Sequence, residues 1–349
     1  MQPEPFRIEP TFSPRIWGSR TLAPIFPNQS DLAKPIGEAW LTDVQCRIAS
    51  GPFSGKILRE GWAQMPTDWR GERCANLPDF PLLVKFIFPA DKLSLQVHPD
   101  DAFAQAHEIA AGGRGKTEMW HAVSAQPNAK LFLGLKPRVG KQEFAELVGS
   151  SALEELFQEH TVEEGDTFFV PPGVPHSIGP GAILCEVQEY SDLTYRVYDY
   201  GRVDAQGKPR PLHIEKALAV IRFSGPEIAK VRPLRWGSEK MEISLLAACR
   251  YFATERWRLS EVFNARPHID AFQLLVILSG GGVLSWKDGK ARCERAECWF
   301  VPASLENYEL RPDNELTFIR TFVPNVAALR ENLRGLGIGD SDISRVVFD

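Results

Sequence analysis

No apolar run in this sequence of 349 residues is long enough to span a bilayer, and no run of basic residues stands out. A membrane-spanning protein and a nucleic-acid-binding protein are therefore not expected. The N-terminal segment has no basic stretch followed by an apolar one, so no secretory signal is expected either. Lys and Arg number 40 against 45 Asp and Glu, and the resulting formal net charge of -5 favours no particular partner.

The six cysteines do not follow a metal-binding or disulfide-rich pattern. No CxxC pair occurs, and no histidine accompanies the closest two cysteines at zinc-finger spacing. Free thiols in a reducing compartment are the simplest interpretation, so a cytoplasmic protein is expected. The cysteines are Cys46, Cys74, Cys185, Cys249, Cys293 and Cys298.

Glycine and proline, 27 of each, are scattered without a period, while 44% of the residues are hydrophobic. This composition predicts a sizeable core and a turn-rich fold of many short elements. Strand patterns occupy residues 80–98, 161–200 and 243–323, and helical patterns occupy residues 101–113, 141–158 and 212–221. Strands therefore dominate the predicted fold, and a few helices are inserted between them.

Residues 226–242 contain Pro226 and Pro233 and separate two strand-rich parts of the chain. We predict a domain boundary there, with a larger domain over residues 1–235 and a smaller one over residues 236–349.

The two parts share a weak internal sequence similarity. Residues 165–178 and residues 296–310 both read as a strand, a Val-Pro pair, a turn and a return strand. His176 follows the turn in the first copy, whereas Asn307 takes the matching place in the second.

Two polar side chains share one face of the strand predicted over residues 93–98. Side chains alternate along a strand, so Gln96 and His98 lie on the face opposite Leu95 and Val97. An amide oxygen and an imidazole nitrogen that converge in this way form half of a metal site. The alternative, which a QxH pair alone favours, is a sheet whose polar face is open to water.

A second polar pair lies in the segment GKTEMWH, where Lys116 and Glu118 share a strand face. Glu118 is a candidate metal ligand, and Lys116 is a candidate group facing a substrate. An ordinary surface ion pair is the alternative for these two residues. His107 and His121 are interpreted as surface or capping residues.

Two further segments contain candidate residues. His176 follows a rigid Pro-Pro-Gly turn and enters a new strand, which suits a side chain that points into a barrel. Arg196 lies in the stretch 186–199, where a structural network at a strand end is the alternative. Together, two His, one Glu and one Gln make a mixed nitrogen and oxygen set for one divalent ion. Lys116 and Arg196 add positive charge suited to an anionic substrate such as a sugar phosphate.

Seven segments of the sequence resemble the type I phosphomannose isomerases, or mannose-6-phosphate isomerases, in their short bacterial form. They follow in order over roughly two-thirds of the chain, which makes the resemblance more specific than any single motif. The segments are RIWGS (15–19), IGEAW (36–40), LSLQVHPDD (93–101), GKTEMW (115–120), VPPGVPHSIG (170–179), EVQEYSDLTYRVYDYGR (186–202) and PLHIEKAL (211–218).

The resemblance implies a cupin fold, which is a double-stranded β-helix or jelly-roll barrel, and a zinc-dependent active site with one ion per chain. The C-terminal part resembles a second, degenerate cupin barrel without metal. When the family's ligand positions are carried over to this sequence, the resemblance implies four zinc ligands, which are Gln96, His98, Glu118 and His176. It places Lys116 and Arg196 at positions that face the substrate.

The implied activity is the reversible interconversion of mannose 6-phosphate and fructose 6-phosphate through an enediol, a step of carbohydrate metabolism. A divalent ion stabilises the negative charge that develops on the substrate oxygens, and Arg196 is the predicted cationic helper. Either Lys116 or a water molecule on the metal carries the proton between C2 and C1. Lys85 and Arg202 are the candidates for contacting the phosphate.

Two other functions stay open at this point. A cupin barrel also suits a non-catalytic sugar-binding or regulatory protein, because a fold does not fix a function. Two histidines with oxygen ligands also suit the iron or manganese of a redox enzyme. The sequence departs from the family pattern at two positions. Glu189 stands where family members commonly have Gln, and His121 stands where Tyr is common. Both departures concern substrate preference more than metal binding.

Overall fold

A computed structural model of the chain describes residues 1–204, 206–223, 230–267 and 270–349. The strands of this part of the chain are β1 (Phe6–Ile8), β2 (Thr11–Ser19), β3 (Ile36–Trp40), β4 (Leu82–Ile87), β5 (Leu95–Val97), β6 (Glu118–Ala125), β7 (Lys130–Leu135), β8 (Phe157–Thr161), β9 (Thr167–Val170), β10 (His176–Ile178), β11 (Ala182–Glu189), β12 (Tyr195–Tyr198), β13 (Leu234–Gly237), β14 (Met241–Ala248), β15 (Ala253–Leu259), β16 (Phe263–Ala265), β17 (Gln273–Trp286), β18 (Gly289–Glu294), β19 (Cys298–Val301) and β20 (Tyr308–Phe322). The helices are α1 (Leu58–Gln64), α2 (Thr67–Arg70), α3 (Asp101–His107), α4 (Lys141–Leu147), α5 (Ile214–Val220), α6 (Val326–Gly335) and α7 (Asp340–Ile343). Two 3-10 helices cover Ile109–Ala111 and Ser151–Leu156.

The strands form three sheets in which neighbouring strands are antiparallel. A six-stranded sheet has the order β2-β3-β4-β11-β6-β9, and a five-stranded sheet has the order β12-β5-β10-β7-β8. A nine-stranded sheet has the order β1-β19-β17-β20-β15-β14-β13, with β16 paired to β20 and β18 paired to β17. The predicted dominance of strands over helices is therefore confirmed.

The six-stranded and five-stranded sheets face each other across a shared apolar core. Trp120 and Phe168 of the first sheet lie in one buried cluster with Leu131, Leu133 and Ile178 of the second. Burial of large side chains from both inner faces removes them from water and holds the two sheets together. This packing also fixes the positions of the polar residues that lie between the two sheets.

Strand β5 shows how the sequence positions those polar residues. Leu95 and Val97 are fully buried in a separate cluster with Phe144 of α4 and Phe157 of β8. Because side chains alternate along a strand, Gln96 projects from the opposite face, towards the space between the sheets. The alternation predicted for this strand is confirmed.

The nine-stranded sheet combines the two ends of the chain. β1 pairs with β19, and Phe6 lies opposite Phe300 with ring centroids 4.6 Å apart. Phe272 of the loop before β17 stacks on Phe300 from 4.8 Å. The N-terminal strand thus lies in a sheet that is otherwise built from residues after 233. The domain division at residue 235 stays a prediction.

The helical segments are shorter than the patterns suggest. Residues 141–158 form α4 and a 3-10 helix instead of one helix, because Gly149 adopts a φ of +83°, outside the right-handed helical region. Ser150 then caps the 3-10 helix, as its hydroxyl accepts a hydrogen bond from the Ala152 amide at 3.2 Å. Helices α3 and α5 lie within their predicted ranges. Pro226 of the predicted boundary lies outside the described residues.

All six cysteines lie within the described residues, and each is a buried free thiol. No helix in this part of the chain combines the length and the apolar character that crossing a membrane requires.

Replacing Phe300 by Ala is expected to lower the free energy of unfolding by about 3–5 kcal/mol. The reason is the loss of a fully buried ring on which Phe6 and Phe272 stack. Urea denaturation followed by circular dichroism measures the change. Leu336→Ala, at a side chain that is 56% exposed, is the control and should stay within about 0.5 kcal/mol. Equally small losses in both variants would contradict the role given to Phe300.

Candidate metal centre

The four residues predicted as ligands meet between the two facing sheets. Gln96 is the central residue of β5, and His176, the first residue of β10, lies directly opposite it in the strand register. His98 follows the end of β5, and Glu118 begins β6 in the other sheet. The two sheets thus contribute to a single cluster of side chains.

The ligand atoms of this cluster lie close together. His98 Nε2 is 3.6 Å from Glu118 Oε1, and His176 Nε2 is 3.4 Å from the same oxygen. These three residues each offer one ligand atom within 4.8 Å of the others. The amide nitrogen of Gln96 lies 3.3 Å from His176 Nε2. A half-turn of the amide exchanges its nitrogen and oxygen, so Gln96 can direct its carbonyl oxygen to the same point.

Both imidazoles are held with Nε2 as an electron-pair donor. His98 Nδ1 donates to the Leu193 carbonyl oxygen at 2.8 Å, and His176 Nδ1 donates to the Val174 carbonyl oxygen at 3.0 Å. A carbonyl oxygen only accepts, so Nδ1 carries the proton and Nε2 of the neutral ring keeps its lone pair. Burial lowers the pKa of His98 to about 3 and also lowers the pKa of His176, so both rings are neutral at neutral pH.

Glu118 supplies the negative charge of the cluster. Burial by itself raises the pKa of this carboxyl, but the positive charge of the adjacent Lys116 holds it well below its usual range. Glu118 Oε1 accepts no hydrogen bond from a described residue. A buried carboxylate oxygen that faces two nitrogen lone pairs is stabilised by a cation between them. Two nitrogens and two oxygens fit zinc, and the residues present are therefore suited to hold it.

Buried charges of alternating sign extend from Glu118. Lys116 Nζ contacts Glu118 and lies 3.7 Å from Glu186 Oε1. Lys85 Nζ lies 2.9 Å from the same oxygen of Glu186. Burial raises the pKa of Glu186, and the negative charge of Glu118 adds to this effect. Two amines and two carboxylates are therefore packed side by side next to the candidate metal position.

Glu38 connects this group to the protein surface. It lies 3.1 Å from Lys85 and 2.6 Å from the partly exposed Arg15. Burial raises the pKa of the Glu38 carboxyl, but Lys85 and Arg15 outweigh that effect and lower the pKa to about 2. Burial likewise lowers the pKa of Lys85, whereas Glu186 and Glu38 raise it above its usual range. Glu38 and Lys85 therefore both stay charged at neutral pH.

A cavity of about 690 Å³ opens beside these residues, a volume that suits a small-molecule ligand. Gln96 and Lys116 line it, so the candidate metal centre lies at its wall. The basic residues that line it are Arg15, Lys85, Lys116, Arg196 and Arg210. Within the described residues, Arg196 is the one among these five without a carboxylate partner.

Arg196 is held by neutral groups instead. It lies on β12, opposite Gln96 of β5. Its Nε donates to Ser94 Oγ at 3.2 Å, and its Nη1 donates to the Pro211 carbonyl oxygen at 2.9 Å. Ser94 Oγ in turn donates to Gln96 Oε1 at 3.2 Å. The positive charge of Arg196 is therefore fixed in position and available to an anion in the cavity.

Sequence reasoning did not single out Glu186, Arg15 or Arg210 as site residues. The signal for Glu186 was the alternation along β11, which puts Glu186 and Gln188 on one face of an otherwise apolar strand. Trp120 Nε1 donates to Glu186 Oε2 at 2.8 Å and fixes the carboxylate. No comparable signal marks the two arginines, because only the folded chain brings them to the cavity.

The remaining candidates lie in different places. Lys85 lines the cavity, whereas Arg202 is absent from its lining and lies 2.7 Å from Asp199 and 3.1 Å from Asp91. His107, in the last turn of α3, is exposed as expected. The surface interpretation of His121 is wrong. Its ring is buried, because β6 turns it towards the nine-stranded sheet, and Nδ1 lies 3.1 Å from Thr167 Oγ1.

Comparison with known proteins identifies the family. The family model for the catalytic domain of phosphomannose isomerase type I matches residues 5–130. The mannose-6-phosphate isomerase ManA of Bacillus subtilis (strain 168) is 33% identical over 321 residues, which are 89% of this chain and 96% of that protein. The chain belongs to the type I phosphomannose isomerases.

Solved structures of phosphomannose isomerases share the fold. The crystal structure of the mannose 6-phosphate isomerase from Bacillus subtilis is 28% identical, with a TM-score of 0.82 over 92% of this chain and 99% of that one. A mannose 6-phosphate isomerase bound with zinc and yttrium is 18% identical, with a TM-score of 0.74 over 91% of this chain and 99% of that one. The resemblance read from the sequence, the mainly β cupin fold and the isomerase class are thereby confirmed. The second barrel, the zinc and the roles of single residues stay predictions.

Replacing His176 by Ala is expected to lower the metal content and the isomerase activity together, because one of the converging nitrogen donors is lost. Metal analysis of the purified variant and an assay of the same sample measure both quantities. His107→Ala, at an exposed histidine outside the cluster, is the control and should keep both. Stoichiometric zinc in the His176 variant would contradict its predicted role as a ligand.

Proposed function

We propose that this phosphomannose isomerase interconverts mannose 6-phosphate and fructose 6-phosphate through an enediol, with one zinc ion bound by Gln96, His98, Glu118 and His176. The observation that supports the zinc most directly is the convergence of two Nε2 lone pairs on a buried carboxylate oxygen. Arg196 lines the adjoining cavity and has no acidic partner among the described residues, which suits an anionic substrate. Family membership supports the reaction.

An aldose–ketose isomerase has to stabilise negative charge on the oxygens of C1 and C2. When bound, zinc supplies a Lewis acid for that charge. Arg196 is assigned to the same charge from the protein side. Its guanidinium is already oriented by Ser94 and Pro211, so little reorganisation is needed when the charge develops.

Lys116 is assigned to hold and move the carbon-bound proton. In the direction from aldose to ketose, the Lys116 ammonium gives a proton to O1, and the resulting amine takes the C2 proton while the electron pair of the C2–H bond becomes the C1–C2 double bond. This ammonium then returns a proton to C1, and the amine takes the proton of O2 as the C2 carbonyl forms. Lys116 is only 3% exposed, which limits exchange of that proton with bulk water.

The phosphate group needs a cation at the cavity. Lys85 and Arg202, the candidates from the sequence, each contact two carboxylates. Arg15 and Arg210 line the cavity, and each pairs with one carboxylate, which leaves part of each guanidinium free. We assign the phosphate to Arg15 and Arg210, while the roles of Lys85 and Arg202 stay predictions.

The purified protein is expected to convert mannose 6-phosphate to fructose 6-phosphate, to lose turnover with a chelator and to regain it with zinc. A coupled assay for fructose 6-phosphate measures the rate, and free mannose serves as the comparison substrate. Metal-replete protein without turnover would refute the proposal and favour the sugar-binding alternative. Oxygen uptake with any of these sugars would favour the redox alternative.

Replacing Arg196 by Ala is expected to leave the zinc content unchanged and to lower kcat by about 10²–10³, the cost of losing one oriented charge-stabilising group. Arg196→Lys keeps the charge but not the hydrogen bonds, so an intermediate rate is expected. Arg345→Ala, at a side chain that is 56% exposed, is the control. An unchanged rate in the Ala variant would make Arg196 a purely structural residue.

A further inference from the structure

A second cleft lies behind the strand that carries Glu118. Along β6, Glu118 and Trp120 face the core between the first two sheets, so His121 projects from the opposite face. There it lines a cavity of about 430 Å³ between β6 and the nine-stranded sheet. A neighbouring cavity of about 790 Å³ shares Glu164, Gly165 and Arg256 with it, and the two adjoining cavities are together called the cleft.

The cleft concentrates positive charge in a chain whose net charge is -5. The basic residues that line it are Lys230, Arg232, Arg235, Arg256, Arg258 and Arg295. Among the described residues, three acidic ones line it, Glu164, Asp166 and Glu315. Two of these are already neutralised, because Asp166 lies 2.6 Å from Lys230 and Glu315 lies 3.2 Å from Arg258.

The other guanidinium groups lack close partners. Arg256 comes no closer than 3.8 Å to a carboxylate oxygen of Glu242. Within the described residues, Arg232, Arg235 and Arg295 take part in no ion pair, and the side chain of Arg295 donates only to the Pro24 carbonyl oxygen at 3.4 Å. Unpaired guanidinium groups that face one concave surface create a positive potential in it.

The alternation of side chains along β15 places Arg256 and Arg258 in the cleft. Along β15, Trp257 and Leu259 are buried in the core of the nine-stranded sheet, so Arg256 and Arg258 share the opposite face. Ser244 of β14 lies directly across from Arg256 in the register. It is buried, and its hydroxyl has no hydrogen-bond partner among the described residues. A free hydroxyl donor therefore lies beside the loosely paired guanidinium.

We propose that this cleft binds a small molecule that carries phosphate groups, at a site separate from the catalytic cavity. Guanidinium groups bind phosphate oxygens through paired hydrogen bonds, and they outnumber the acidic groups of the cleft. The concave shape and the volume favour a small molecule over a macromolecule. Burial, with a contribution from Arg256, lowers the pKa of His121 to about 3, so this ring is neutral and the attraction comes from the arginines.

Calorimetric titration with inorganic phosphate, at an ionic strength held constant with chloride, tests the proposal. The wild-type protein is expected to bind two phosphate ions per chain, one in the catalytic cavity and one in the cleft. Arg256→Gln combined with Arg295→Gln should remove or weaken one of them by about tenfold or more. The KM for mannose 6-phosphate and the inhibition of turnover by phosphate should stay unchanged in this variant, since neither residue lines the catalytic cavity.

Two controls keep the test decisive. Arg311→Gln removes an exposed arginine of the same sheet outside the cleft and should leave both binding events intact. If the Arg256 variant does not fold, Arg235→Gln combined with Arg295→Gln changes only exposed side chains of the cleft and should give the same loss. One phosphate per chain in the wild-type protein, displaced by substrate, would refute the proposal. Identical titrations of the wild-type and cleft variants would also refute it.

Discussion

The candidate metal centre depends on three electron-pair donors, from His98, Glu118 and His176, that converge on one point. The Nδ1 atoms of His98 and His176 are engaged by backbone carbonyl groups, which leaves both Nε2 lone pairs directed at the carboxylate of Glu118. Burial keeps the rings neutral, and the adjacent Lys116 keeps the carboxyl ionised. This convergence of electron-pair donors around Glu118 Oε1 favours a cation there, which supports the proposed metal position.

The two facing sheets hold these donors in place, and each sheet contributes part of the set. Gln96 and His176 lie in the five-stranded sheet and His98 directly follows its strand β5, whereas Glu118 begins β6 of the other sheet and Lys116 lies in the segment that enters it. The apolar core formed by residues such as Trp120 and Ile178 fixes the spacing between them. The row of Lys116, Glu186, Lys85 and Glu38 is tolerated because each buried charge has an opposite charge beside it. Arg196 differs from them in having no such partner among the described residues, which leaves its charge available to an anion in the cavity.

Much of this site could be predicted from the sequence, because short-range alternation along a strand decides which side chains share a face. Alternation put Gln96 with His98 and Lys116 with Glu118, and the family motifs joined the two pairs to His176. Long-range pairing was not predictable in the same way. Neither the meeting of Arg15 and Arg210 at the cavity nor the burial of His121 has a local signal, since both depend on how separate sheets pack. The two ends of the chain likewise meet in one sheet through Phe6 and Phe300, a contact that no local pattern indicates.

The central claim is that the donors of His98, Glu118 and His176 hold a zinc ion. The most direct measurement is X-ray diffraction from crystals of the purified protein at energies on either side of the zinc absorption edge. We expect one anomalous peak per chain, within bonding distance of both Nε2 atoms, Glu118 Oε1 and the amide oxygen of Gln96. A protein that is active as an isomerase but has no anomalous peak at this position would contradict the account.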